Sequence, residues 1–173
     1  MLNRTITGHE IVLRPTDTIQ SRTDTRGRIM FANPTLMRIA GYEKDELIGA
    51  PHNILRHPDM PRSVFYLMWQ MIQQGEEFYG FVKNRAKNGD HYWVFTRVGA
   101  RRETDGSISG YSSVRIAPKR EFLPEWEDVY AQIRAVEDRF PRDQQCAEGA
   151  KAVMQYLARR GYANLTDYVI KQT

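Results

Sequence analysis

The sequence has one cysteine, Cys146, among its 173 residues. A single cysteine excludes an internal disulfide framework and any zinc site built from several thiolates. No apolar run approaches the roughly 20 residues that a membrane-spanning helix needs, and residues 1–14 lack the apolar core and cleavage site of an export signal. We therefore expect a cytoplasmic protein with no direct membrane span.

Sequence motifs of the common enzyme classes are also missing. No GxSxG, HExxH, P-loop or GxGxxG pattern occurs in the chain, and these motifs carry nucleophiles, metal ligands and phosphate-binding loops. The charge balance is modest, with 25 Lys and Arg against 21 Asp and Glu, and no run of basic residues marks a nucleic-acid contact. We therefore expect neither an enzyme nor a nucleic-acid-binding protein.

The chain changes character at Pro118. Before it, short β-rich runs alternate with turn residues, and after it the pattern is helical. Asn33 and Pro34 are typical of the start of a helix that ends at Gly41, and residues 61–74 carry the apolar stripe of a longer helix. Strands are predicted at 19–24, 28–32, 78–84, 91–101 and 107–115. This order predicts an α+β domain with a five-stranded antiparallel sheet and short helices on one face.

Residues 119–173 form a separate helical segment, with helices predicted up to Phe140, at 144–160 and at 165–171. The first helix carries a stripe of large apolar residues that must be buried against another surface, and two alternatives remain open. The stripe docks on a partner or a second copy of the chain, or it folds back on its own domain. Its members are Phe122, Trp126, Val129, Ile133, Val136 and Phe140.

The most unusual stretch runs from Pro51 to Pro61 and holds three prolines, two histidines, an arginine and an aspartate. Proline disfavours regular helix, so the backbone is irregular and its polar side chains have defined directions. Such a segment is typical of a ligand loop, or of a connector whose Asp59 caps the following helix. His52, His57 and Asp59 are also compatible with a metal site.

Five short motifs recur in one known family: Phe31-Ala32-Asn33, Gly41-Tyr42, Glu46–Gly49, Lys87–Asp90 and Gly110-Tyr111. Together they resemble a PAS sensory domain. A narrower pattern, the Pro51–Pro61 loop with Met68-Trp69, Val82–Arg85 and Asn88–Val94, resembles the PAS domain of the bacterial aerotaxis receptor family. The resemblance covers about residues 17–118.

This resemblance implies a PAS fold that binds FAD non-covalently and reports redox state to the chemotaxis machinery. It divides the chain into an N-terminal cap segment at 1–16, the PAS domain at 17–118 and a helical output or interaction segment at 119–173. The implied cofactor-binding residues are Arg56, His57 and Asp59 in the loop, Trp69, Asn84 on the facing strand, and additionally His52 and Asn53.

The resemblance also bears on partners and alternatives. Receptors of this family continue into a membrane anchor and a signalling coiled coil, which this sequence does not contain, so we expect a separate chemotaxis transducer or other signalling protein, or a homodimer. The alternatives are a haem-binding PAS sensor with His52 or His57 as axial ligand, a PAS interaction module without cofactor, and a flavin-dependent enzyme. A photoreceptor with a flavin–cysteine adduct is disfavoured because Cys146 lies outside the PAS region.

Overall fold

The computed structural model describes residues 5–172. An antiparallel five-stranded sheet forms its centre, with the strand order β2-β1-β5-β4-β3. The α+β architecture expected from the sequence is confirmed. The strands are β1 (Thr18–Thr23), β2 (Ile29–Ala32), β3 (Phe78–Arg85), β4 (His91–Arg102) and β5 (Ile108–Ile116).

Three helices lie between β2 and β3: α1 (Pro34–Ala40), α2 (Lys44–Leu47) and α3 (Arg62–Gln73). Asn33 caps α1 as predicted, since its side chain accepts a hydrogen bond from the backbone N–H of Leu36 at 3.0 Å. Gly41 ends α1 with a φ of 71°, a left-handed conformation that glycine adopts without a steric penalty. Residues 52–55 form one turn of 3-10 helix inside the loop expected to be irregular.

The two faces of the sheet have different neighbours. On β3 and β4, alternate residues such as Asn84 and Thr96 face α3, while Phe81 and Trp93 face the opposite side. The helices α4 (Leu123–Glu137), α5 (Gln145–Ala158) and α6 (Leu165–Ile170) follow the sheet. Because α4 covers the outer face of β3 and β4, helices lie on both sides of this part of the sheet.

The apolar stripe of α4 is buried within the chain. Trp126 stacks on Phe81 with ring centroids 5.5 Å apart, and the Tyr130 hydroxyl donates to the carbonyl of Phe81 at 2.6 Å. Val129 and Ile133 are also buried. Of the two alternatives left open by the sequence, the structure shows the intrachain one for Trp126, Val129 and Ile133, while docking of the segment 119–173 on a partner stays a prediction.

The C-terminal segment also holds the start of α3. The buried carboxylate of Glu137, at the end of α4, accepts hydrogen bonds from the backbone N–H groups of Arg62 at 3.0 Å and Ser63 at 2.8 Å. It also accepts from the Ser63 hydroxyl at 2.7 Å. Helix α5 packs beside it at Gly149, where an added Cβ would lie 2.6 Å from Ser63 Oγ. The absence of a side chain therefore permits this close approach.

The N-terminal residues run along the start of β4. The backbone N–H of Ile11 donates to the carbonyl of His91 at 2.7 Å, and that of Thr7 donates to Gly89 at 3.1 Å. Within residues 5–172, no helix has the length and apolar character needed to cross a membrane. The predicted cap segment 1–16 is described from residue 5 onward, and residue 173 also lies outside the described part.

Candidate functional site

A cavity of about 560 Å³ lies between α3 and the inner face of the sheet. This volume falls within the range of about 300–1,000 Å³ that is typical of small-molecule and cofactor sites. Helix α3 contributes apolar side chains from about two turns to one wall, and the strands contribute the other. The large apolar and aromatic lining residues are Phe65, Tyr66, Met68, Trp69, Ile72, Val82, Val98 and Tyr111.

The charged lining of the cavity has one sign. Four arginines line it, and no aspartate or glutamate does so among residues 5–172. Arg26 and Arg62 are exposed, Arg56 is half-buried and Arg115 is buried. A cavity with aromatic walls, in which every charged side chain is cationic, favours a ligand that combines a flat apolar part with negative charge.

The Pro51–Pro61 loop brings three of the predicted residues to this cavity. His52, Asn53 and Arg56 all line it, and the backbone of Arg56 pairs with Asn84 on β3 in an isolated antiparallel bridge. Asn84 lines the cavity too, and its side-chain nitrogen is buried with no hydrogen-bond partner in the described chain. The loop is therefore held against β3, the strand predicted to face it.

Trp69 is the fifth predicted residue at the cavity. It projects from α3 and meets the ring of Tyr111 edge to face, with centroids 5.2 Å apart. The indole also lies against Gly27, where an added Cβ would approach it to 3.1 Å. The half-buried indole therefore forms a rigid apolar wall whose position depends on both the sheet and the β1–β2 turn.

Arg56 is oriented by its own loop. Its Nη2 donates to the carbonyl of Met60 at 3.0 Å, and its guanidinium lies 4.8 Å from the centroid of the Phe65 ring. Burial lowers the pKa of Arg56 from its usual value, and arginine stays charged at neutral pH. Phe65 thus supports a cation that faces the cavity through a cation–π contact.

The remaining two predicted residues, His57 and Asp59, do not line this cavity. His57 is 2 % exposed, and its ring centroid lies 5.8 Å from that of His91. Asp59 pairs with Lys83 at 2.8 Å and with Arg134 of α4 at 3.4 Å. These two residues therefore hold the far side of the loop, against β3 and the C-terminal segment.

Several lining residues were not predicted from the sequence. Arg115 and Ser21 come from the inner faces of β5 and β1, and Cys146 comes from α5. Cys146 lies outside the PAS region in sequence, but in the structure it is half-buried against the cavity. No local signal marks a residue that reaches a site through the packing of a distant helix.

The histidines do not form a metal site in the described chain. No group of three or more His, Cys, Asp or Glu side chains is placed to hold a metal ion among residues 5–172. Nε2 of His52 is already engaged, since Nη2 of Arg115 donates to it at 2.7 Å and the Ser21 hydroxyl lies 3.1 Å away. Burial and the charge of Arg115 lower the pKa of His52 to about 3, so this imidazole is neutral.

The chain is similar in sequence to several curated proteins over part of its length. It is 41% identical to the aerotaxis receptor of Escherichia coli over 130 residues, which is 75% of this chain and 26% of the receptor. It is 28% identical to the nitrogen fixation regulatory protein of Klebsiella pneumoniae over 95 residues, 55% of this chain and 19% of that protein. The chain thus spans about a quarter or less of the length of these relatives.

Solved structures share the fold at low sequence identity. A light-oxygen-voltage domain described with a flavin analogue superimposes with a TM-score of 0.56 at 18% identity, covering 63% of this chain and 82% of that domain. The dark structure of the Aureochrome1 light-oxygen-voltage domain gives 0.54 at 17% identity, with coverages of 70% and 86%. The family model described as PAS fold matches residues 29–115. The chain belongs to the PAS-fold family.

Proposed function

We propose that this chain is a cytoplasmic PAS sensor that binds FAD non-covalently and reports redox state to a taxis signalling partner. The observation that carries the proposal is the cavity itself, which combines aromatic walls with four arginines and has no carboxylate from residues 5–172 in its lining. FAD joins a flat ring system to an anionic diphosphate, and guanidinium groups bind such oxygens through charge-assisted hydrogen bonds. The named relatives support the same role, since one is an aerotaxis receptor.

The residues present fit a flavin. Asn84 Nδ2 and Arg115 Nη1 are buried without hydrogen-bond partners in the described chain, and both residues line the cavity. Flavin rings offer carbonyl and ring-nitrogen acceptors, which would satisfy such donors. When bound, FAD supplies the redox chemistry, while the protein contributes binding, orientation and electrostatics.

Each side chain at the cavity has a distinct task in this proposal. Trp69 and Tyr111 would hold the apolar ring system, and Asn84 would donate to an acceptor on it. Arg56, with Asn53 in the same loop, would bind the polar and anionic portions, and His52 would line the cavity beside them with its Nε2 engaged by Arg115. His57 and Asp59 would act indirectly, by keeping the loop seated on β3 through Lys83.

A haem sensor is disfavoured by the geometry of the two candidate axial ligands. Nε2 of His52 already accepts a hydrogen bond from Arg115, and a neighbouring guanidinium cation opposes binding of an iron cation there. His57 does not line the cavity. Haem ligation would therefore require the loop to rearrange.

The identity of the cofactor is tested on the purified protein. We expect a two-banded flavin spectrum and release of FAD, not FMN, on heat denaturation. A Soret band would contradict the proposal in favour of haem, and a colourless protein that cannot be reconstituted would favour an interaction module. Pull-down with a chemotaxis transducer, and size measurement for a second copy, test the partner.

Arg56 offers a matched test of the site. Replacing it with alanine should weaken FAD binding about tenfold or more, because a hydrogen bond to a charged group is worth about 1.5–3 kcal/mol. Replacing the exposed Arg142 with alanine should leave affinity unchanged. FAD should also slow alkylation of Cys146, the single cysteine, and unchanged alkylation in the FAD-loaded protein would place the cofactor elsewhere.

A further inference from the structure

Arg115 is a buried arginine with an incomplete set of partners. It lies on the inner face of β5, is 4 % exposed and lines the cavity. Its Nη2 donates to Ser21 Oγ at 3.1 Å and to His52 Nε2 at 2.7 Å. Its Nη1 has no hydrogen-bond partner in the described chain, although buried donors in native proteins are almost always satisfied.

The charge of Arg115 is also unbalanced. No carboxylate between residues 5 and 172 forms an ion pair with it, and both described side-chain partners are neutral. Burial lowers the pKa of Arg115 to about 10, so the guanidinium remains charged at neutral pH. Because a buried, unpaired charge is strongly destabilising, its retention indicates that something else compensates for it.

His52 and Ser21 hold the guanidinium in one orientation. The neutral imidazole presents the Nε2 lone pair to Arg115, and the backbone N–H of His52 donates to Gly27 at 2.9 Å. The loop is thereby anchored to the β1–β2 turn and Arg115 is anchored to the loop. With Nη2 occupied in this way, Nη1 is left as the donor available to a ligand.

We propose that Arg115 is a ligand-binding residue, which donates from Nη1 to an acceptor oxygen of the molecule in the cavity, and that His52 is its positioning residue. The inference rests on the proposed function for the identity of that molecule as a flavin. The oxygen belongs to a ring carbonyl or to a phosphate, and both present the same acceptor to a guanidinium. A purely structural arginine would instead have its donors satisfied by the chain.

The test compares ligand affinity with the stability of the ligand-free protein. In Arg115→Met, we expect FAD to bind about tenfold or more weakly, while the thermal midpoint of the ligand-free protein stays equal or rises because the buried charge is gone. Arg22→Met, at an exposed residue of β1, is the control and should leave affinity unchanged. A lower midpoint with unchanged affinity would show a structural role and overturn the proposal.

Further variants keep the proposal falsifiable if Arg115→Met does not fold. Arg115→Lys keeps the charge but loses the planar fork, so it should fold and still bind FAD more weakly than wild type. The double variant Arg115→Met with His52→Leu should bind FAD no more weakly than Arg115→Met alone, because both substitutions abolish the same Arg115–ligand interaction. Additive losses would reject His52 as the positioning residue.

Riboflavin separates the two sources of the acceptor oxygen. If Arg115 binds a ring carbonyl, Arg115→Met weakens riboflavin and FAD by the same factor, whereas only FAD is affected if it binds a phosphate. Wild-type protein that takes up no flavin would refute the proposed function. The thermal midpoint of ligand-free Arg115→Met then decides alone. An equal or higher midpoint than wild type supports a ligand-binding cation, and a lower one overturns the proposal.

Discussion

Replacing Glu137 with glutamine removes one negative charge from the junction between the C-terminal segment and the cavity wall. The carboxylate accepts three hydrogen bonds from Arg62 and Ser63 at the start of α3. Pro61, at the N-cap position of this helix, makes no side-chain capping hydrogen bond. Glu137 therefore caps the N-terminus of α3, although it lies far from this helix in the sequence.

The size of the effect follows from these contacts. A side-chain N-cap is worth about 0.5–2 kcal/mol, and hydrogen bonds to a charged group contribute about 1.5–3 kcal/mol. Glutamine keeps the shape but offers a single acceptor oxygen and an NH2 group that faces other donors. We expect Glu137→Gln to lower the free energy of unfolding by about 2 kcal/mol, and Glu137→Ala by about 2–4 kcal/mol.

Urea denaturation at neutral pH measures this loss, provided that the dependence on urea concentration is unchanged. Asp138→Asn is the matched control, because the adjacent side chain is exposed and should change stability by less than about 0.5 kcal/mol. Hydrogen exchange adds a local measurement, since the amides of Arg62 and Ser63 should exchange faster in Glu137→Gln. Equal stabilities for Glu137→Gln and Asp138→Asn, with unchanged exchange, would refute the capping role.

Two further predictions concern the core and pH. Trp126→Ala should lower the free energy of unfolding by about 3–5 kcal/mol, because the indole is 2 % exposed and stacks on Phe81. Met154→Ala, at a residue 42 % exposed, should leave the free energy of unfolding nearly unchanged in the same urea denaturation. The pKa of His52 is lowered by burial from 6.5 to about 3, so as pH falls the unfolded chain takes up a proton first and stability is lost from about pH 6.5 down to about pH 3. Between pH 7 and pH 5, protonation of His52 in the unfolded chain should lower the free energy of unfolding by about 2 kcal/mol. His52→Gln should lack this loss. Equal slopes of unfolding free energy against pH for the two proteins would contradict the prediction.

The fold was predictable because its signals are local. Asn33 and Asn164 accept hydrogen bonds from the third residue of their helices, as the capping rule requires, and strand boundaries follow the turn residues between them. The surface that covers the apolar stripe of α4 was not predictable in the same way. An amphipathic pattern states that a face is buried, but Phe81 on a distant strand decides what covers it.

The candidate site was less predictable, and β5 explains why. Val114 and Ile116 alternate with Arg115, a pattern that normally places the apolar residues inside. The structure has the reverse, with Val114 37 % and Ile116 45 % exposed and Arg115 buried. The inversion arises because the inner face of β5 lines a cavity instead of a close-packed core. Within the Pro51–Pro61 loop, no periodicity distinguishes the side chain of Arg56, at the cavity, from that of His57, which is turned away.

The two sides of that loop connect the cavity to the C-terminal segment. Arg56 lines the cavity, while Asp59, three residues later, contacts Arg134 of α4 at 3.4 Å. Glu137 caps α3, which carries Trp69, and Cys146 of α5 lines the cavity directly. A ligand that shifts the loop or α3 must therefore alter contacts made by α4 and α5. Such coupling is reciprocal. If ligand binding changes the equilibrium for release of α4 or α5 from these contacts by some factor, release of α4 or α5 changes the affinity of the cavity for its ligand by that same factor.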